Sequence, residues 1–137
     1  MPKQTRRNFI ANTSKAALAT TLASLTYTTA SAMTANNIFV HHVFFYLKNP
    51  SSTADRDKLV EGLKKLSKVK TIKTFHIGKP ADTHRDVIER SYSLSWMLHF
   101  NNAADQESYQ TDPIHLKFIE DYSSLWQKVV VYDSVDV

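Results

Sequence analysis

Tyr109 and His115 are separated by Gln110-Thr111-Asp112-Pro113-Ile114, a spacing that can aim a phenol and an imidazole from two adjoining helical pieces toward one cavity. A phenol both donates and accepts hydrogen bonds, and an imidazole titrates near neutral pH. Proton removal beside a carbonyl needs a base with a pKa near working pH and a donor for the enolate oxygen, and this pair meets both needs without metal or cofactor. Asp112 suits an N-cap, and Pro113 suits the first helical position, where its missing N–H costs nothing. His115 is therefore expected in the first turn of a new helix. That placement serves a packing or capping histidine equally well.

The elements that must carry the pair follow from periodicity. Ile38 to Leu47, dense in β-branched and aromatic residues and followed by Lys48-Asn49-Pro50, is expected to be a strand stopped by a turn. One of its faces carries His42, Phe44 and Tyr46; the other carries His41, Val43, Phe45 and Leu47. We assign the first of these to the cavity, so that His42 could orient His115 or a substrate oxygen. Leu59, Leu63 and Leu66, with Val60 and Val69 alongside, have the 3.6-residue period of an amphipathic helix after Ser51-Ser52-Thr53. The charges between them, Lys58, Glu61, Lys64 and Lys65, form its solvated face.

Residues 71–78 are expected to be a second strand and 79–90 an exposed loop. In 91–100, Tyr92, Leu94, Trp96, Leu98 and Phe100 alternate with Ser91, Ser93, Ser95, Met97 and His99, a period of two that marks a third strand. Two helical pieces, 103–111 and 113–128, meet at the break before Pro113, and 129–135 close the chain as a fourth strand. The expected class is α+β, with a ferredoxin-like β-α-β-β-α-β order. Helices cover one face of the sheet, and nothing remains to cover the apolar residues of the other. Two copies packed sheet to sheet, a homodimer forming an α/β barrel, would bury them.

Residues 1–32 read differently from the rest. They hold Lys3, Arg6, Arg7 and Lys15, no acidic residue, a mildly apolar stretch, and Ala30-Ser31-Ala32, which together suit an export signal with a small-x-small cleavage site. Thr5-Arg6-Arg7-Asn8-Phe9-Ile10 resembles the twin-arginine motif, so we expect a signal peptide at 1–32, a domain at 33–137 and a periplasmic location. Contact with a membrane is then confined to export.

Removing four of the 17 basic residues leaves 13 against 13 acidic ones, so the pI of 9.3 belongs to the leader, and no nucleic-acid footprint is expected on the domain. The absence of cysteine excludes disulfides and thiolate chemistry. Two glycines, Gly62 and Gly78, leave no phosphate-cradling loop and no sign of a nucleotide cofactor.

The strand beginning at His42, Gly78 after the second strand, Phe100 ending the third, the stretch Tyr109 to His115, Trp126 and the closing Tyr132-Asp133 resemble, in order and interval, the stress-responsive A/B barrel domain (Dabb) family. The resemblance spans nearly all of 33–137 and implies a dimeric α+β barrel. The family includes a plant polyketide cyclase, olivetolic acid cyclase, similar in motif spacing. Its tyrosine and histidine, matched by Tyr109 and His115, promote an intramolecular aldol condensation, with the histidine as base and the tyrosine bonded to a carbonyl. Where that cyclase has a pocket tyrosine this chain has the stretch Glu61-Gly62-Leu63-Lys64, and Trp96 replaces a small β-branched residue, which implies a pocket of narrower or different shape.

The resemblance implies a small apolar carbonyl or aromatic ligand held by His42, Phe44, Tyr46, Trp96, Phe118, Trp126 and Asp133, with cyclase- or lyase-like chemistry at Tyr109 and His115 and no cofactor. A non-catalytic binding or structural stress module is the alternative. Other dimeric barrels of this shape hold haem, but His42, His76, His99 and His115 lie on separate expected elements without the spacing of close metal ligands.

Overall fold

The computed structural model describes residues 37–137, so the expected signal peptide lies outside the described residues. Strand β1 (Phe39–Leu47) is followed by helix α1 (Thr53–Leu66) and by strands β2 (Thr74–Gly78) and β3 (Leu94–Phe100). Then come helices α2 (Ala103–Thr111) and α3 (Pro113–Tyr122), a single 3-10 turn (Ser123–Leu125) and strand β4 (Trp126–Val135). The strands form one sheet in the order β2-β3-β1-β4, and every neighbouring pair is antiparallel. This is the ferredoxin-like α+β arrangement expected from the pattern. No helix among the described residues is long and apolar enough to cross a membrane.

Alternation in β1 sets the plan of the molecule. His41, Val43, Phe45 and Leu47 are buried while the residues between them are half-exposed. Register carries this phase across the sheet, since Val43 stands opposite Trp96 on β3 and Val131 on β4. Residues directly opposite share a face, so Leu94, Trp96, Leu98 and Phe100 point the same way as Val43. The helices cover that face: Leu59, Leu63 and Leu66 of α1, Tyr109 of α2, and Phe118 and Tyr122 of α3 complete one core with the strands. Each fully buried leucine contributes about 1.5–3 kcal/mol.

Local chemistry explains the helix ends. Ser52 Oγ accepts from the Asp55 N–H at 3.1 Å and starts α1, Asn102 caps α2 through Asp105 N–H at 2.8 Å, and Asp112 caps α3 through Ile114 N–H at 2.8 Å with Pro113 in the first turn. The two helical pieces are thus broken where the Asp-Pro pair requires. Gly62, although poor for helix propensity, lets α1 meet α3 closely: a Cβ there would lie 2.9 Å from the Tyr122 ring.

Some boundaries differ from expectation. The last helix ends at Tyr122, not at 128, because Ser123 and Ser124 are weak helix formers, and β4 already starts at Trp126, opposite Leu47. Strand β2 begins at Thr74 because the preceding residues form turns, bonded for example through Ile72 N–H to the Val69 carbonyl. Strand β3 begins at Leu94, after Ser93 donates its N–H to the Phe45 carbonyl.

Candidate active site

A cavity of about 190 Å³ lies between the sheet and the α2–α3 junction. Its polar lining comes from His41, Trp96, Tyr109, Gln110 and His115; Phe45, Phe118, Ile119, Trp126, Val129 and Val131 are among its apolar walls. Tyr109, at the end of α2, and His115, in the first turn of α3, meet here as their spacing requires. Their ring centroids are 4.7 Å apart, edge to face.

Tyr109 is 1% exposed, and burial holds its phenol well above the usual range, with the Trp96 bond opposing that rise. The ring is therefore a neutral phenol at any ordinary pH. The Trp96 indole N–H donates to its Oη at 3.2 Å. Burial pushes the His115 imidazole below its ordinary value of 6.5, and proximity to His41 adds to the fall. The Gln110 backbone and Asp112 oppose it. A largely neutral imidazole can act as a base, and His115 Nδ1 is buried without a hydrogen-bond partner.

A second histidine completes the site. His41 is buried beside the Tyr109 ring, centroid to centroid 5.9 Å, and its Nδ1 is 2.6 Å from Asp133 Oδ1. A carboxylate can only accept, so Nδ1 carries the proton of this bond and Nε2 is the ring nitrogen not engaged by Asp133. The His41–Asp133 pairing follows from the β1–β4 register, in which the two residues stand opposite one another.

The assignment of His42, Phe44 and Tyr46 to this cavity is corrected by one residue. They project from the uncovered side of the sheet, since the phase that buries Val43, Phe45 and Leu47 beneath the helices selects His41. Phe44 and Tyr46 instead line a separate recess of about 380 Å³ with Glu89, Tyr92, Lys128, Val130 and Tyr132. His42 lies against Phe44 with the two rings tilted, 4.2 Å between centroids.

Trp96, Phe118 and Trp126 do line the cavity, and Asp133 reaches it through His41. His41 and Gln110 are the polar groups that the sequence argument missed. His41 is in step with Val43, Phe45 and Leu47, but the opposite face of β1 is equally apolar, so the strand by itself carried no signal for choosing it over His42. Gln110 carried none beyond adjacency to Tyr109. Among the described residues no group of three or more His, Cys, Asp or Glu could hold a metal ion.

Comparison with known proteins matches residues 39–136 to the family model described as Dabb, the stress responsive A/B barrel domain. A search of curated proteins finds no match. Among solved structures, a Dabb family protein with a ferredoxin-like fold from Mesorhizobium loti is 22% identical, with a TM-score of 0.62 over 74% of this chain and 98% of its own. Hydroxynitrile lyase from Passiflora edulis is 21% identical, with a TM-score of 0.62 over 74% of this chain and 95% of its own. A dimeric ferredoxin-like protein of unknown function from Thermobifida fusca is 13% identical, with a TM-score of 0.60 over 74% and 93%. At these identities the likeness establishes the fold.

Proposed function

Because the chain belongs to the stress responsive A/B barrel domain family, we propose that it binds a small apolar carbonyl compound between sheet and helices and moves a proton on it without a cofactor. The observation that carries this reading is the packing of a neutral, buried phenol against an imidazole that burial holds below its ordinary pKa. In the reaction, His115 takes a proton from the carbon beside the carbonyl, and the electron pair moves onto the oxygen. Tyr109 O–H hydrogen-bonds that oxygen while it is negative. The enolate carbon then bonds to a second carbonyl carbon, whose oxygen recovers the proton from His115, giving an aldol product; the reverse sequence is a lyase reaction. His41, held in one tautomer by Asp133, is the second base facing the same ligand.

Size limits the ligand. A cavity of about 190 Å³ is below the usual ~300–1,000 Å³ of ligand pockets and just above the ~150 Å³ that accommodates benzene. One aromatic ring with a short carbonyl substituent fits; a long alkyl chain does not.

In this proposal the chain is a homodimer joined through the uncovered side of the sheet. Support comes from the apolar and aromatic groups there, Phe44, Val130 and Tyr132 among them, and from relatives described as dimeric. Residues 1–32 direct export by the twin-arginine route, and the domain works in the periplasm.

Acetophenone in deuterium oxide tests the chemistry directly. The protein is expected to speed exchange of the methyl protons, followed by proton NMR, and Tyr109→Phe and His115→Ala are expected to abolish the acceleration. Bound acetophenone with no acceleration would replace this reading with a non-catalytic binding module.

A further inference from the structure

Trp96 lies on β3 beneath the cavity and is 1% exposed, and the only polar atom of its indole donates to Tyr109 Oη at 3.2 Å. An indole N–H has no lone pair to offer, so in this bond the phenol must be the acceptor. Its own proton cannot point back at Trp96. Burial keeps that proton on the oxygen, and no second acceptor for it is found among the described residues. We propose that Trp96 is a positioning residue: it turns the Tyr109 O–H toward the ligand and so makes the site select an oxygen that accepts a hydrogen bond.

This inference rests on the proposed binding of a carbonyl compound and specifies how that compound is recognised. A phenol with both neighbours undefined can rotate and serve a donor or an acceptor equally. One whose lone pair is taken by a donor-only neighbour presents only O–H. An isolated donor in an apolar enclosure penalises a ligand that leaves it unpaired more than it rewards one that pairs with it. The site is therefore expected to prefer a ketone or aldehyde to a hydrocarbon of the same shape, and the preference originates one residue away from the group that makes the contact. The cost of losing the indole N–H should fall on recognition of the oxygen and spare the apolar contacts of Phe45, Phe118 and Trp126.

Acetophenone and α-methylstyrene, which differ in C=O against C=CH₂, provide the test with the full chain. In the wild-type protein acetophenone is expected to bind at least about tenfold more tightly, and the carbonyl stretch of the bound ketone, read by isotope-edited infrared difference spectroscopy, should fall below its value in hexane. Tyr109→Phe should abolish both effects. Trp96→Phe should weaken both.

Because Trp96→Phe also alters packing, 3-benzothienylalanine placed at position 96 removes the N–H with the ring shape kept, and it should reproduce the loss. A carbonyl shift present in the wild type, absent in Tyr109→Phe and undiminished with the benzothiophene overturns the role of Trp96 alone. An unshifted stretch in the wild type, or one that survives Tyr109→Phe, overturns the proposed recognition of a carbonyl itself.

Discussion

His41 and His42 are adjacent in the chain and end in opposite surroundings. His41 is buried beneath the helices, bonded to Asp133 and edge-on to Tyr109; His42 is half-buried on the bare side of the sheet, against Phe44 and near His76. One side of the sheet is closed by this chain's own helices and holds a small cavity with convergent polar groups. The other presents Phe44, Tyr46, Tyr92 and Tyr132 around a wider recess with Lys128 and Glu89. A strand's period of two separates them completely. The same stretch of sequence can therefore supply a chemical site and an assembly surface with no residue shared between them.

A charge on the bare side should separate the two surfaces most strongly. Phe44→Arg places a charge in the aromatic surface where two copies are proposed to meet, and it should raise the dimer dissociation constant by about 100-fold or more, as measured by sedimentation velocity. The covered side should keep its acceleration of acetophenone exchange. A dimer of unchanged strength would remove the bare side from the interface; loss of exchange in a folded monomer would show that the two sides are coupled.

Tyr109→Phe strikes the covered side alone. Loss of the donor should reduce exchange by about 10²-fold or more. It also leaves the buried Trp96 N–H unpaired, a destabilisation of about 1–3 kcal/mol readable in urea unfolding. The dimer should be unaffected. A fully active Tyr109→Phe protein would leave the cavity without its proposed acid–base pair.

Asp133→Asn, which acts on His41, and His42→Gln probe the two histidine environments separately. Asparagine can still bond His41 but, able to donate as well as accept, no longer enforces the Nδ1–H tautomer, so exchange is expected to fall by about tenfold. His42→Gln should leave exchange at its wild-type rate. The opposite ranking would place His42, not His41, in the chemistry.

The architecture was legible because several independent signals agreed. Leucines at helical spacing, the Ser91 to Phe100 alternation and the Asp112-Pro113 break each fixed an element, and Tyr109 and His115 converge as their spacing implied. The phase of β1 was not legible in β1 alone, because both sides are apolar and each carries one histidine. Only the pairing of Val43 with Trp96, which sits in the alternating apolar set of β3, decides which histidine turns inward. The end of α3 was also hidden: Leu125 continues the apolar spacing of Phe118 and Tyr122, and the early start of β4 depends on Trp126 finding Leu47 across the sheet.

The pH dependence of stability should change only modestly, and it reaches both sides of the sheet. His115 and His42 both have pKa values below 6.5 in the folded chain. Burial is the first cause for each; His41 contributes at His115, and His76 then His41 at His42. Between the folded value and 6.5 the unfolded chain binds more protons than the folded one, so stability rises with pH across that window. It is fully present above 6.5 and is lost as pH falls toward the folded values. His115→Gln should flatten this slope whether or not the chain is dimeric, since its environment is made by one copy. The contribution of His42 should depend on protein concentration, because covering the bare side desolvates it further. Urea midpoints across pH 5–8 at two protein concentrations would separate these cases. A slope at His42 indifferent to concentration would mean that His42 gains no further burial on association, and the proposed interface would have to lie elsewhere on the sheet.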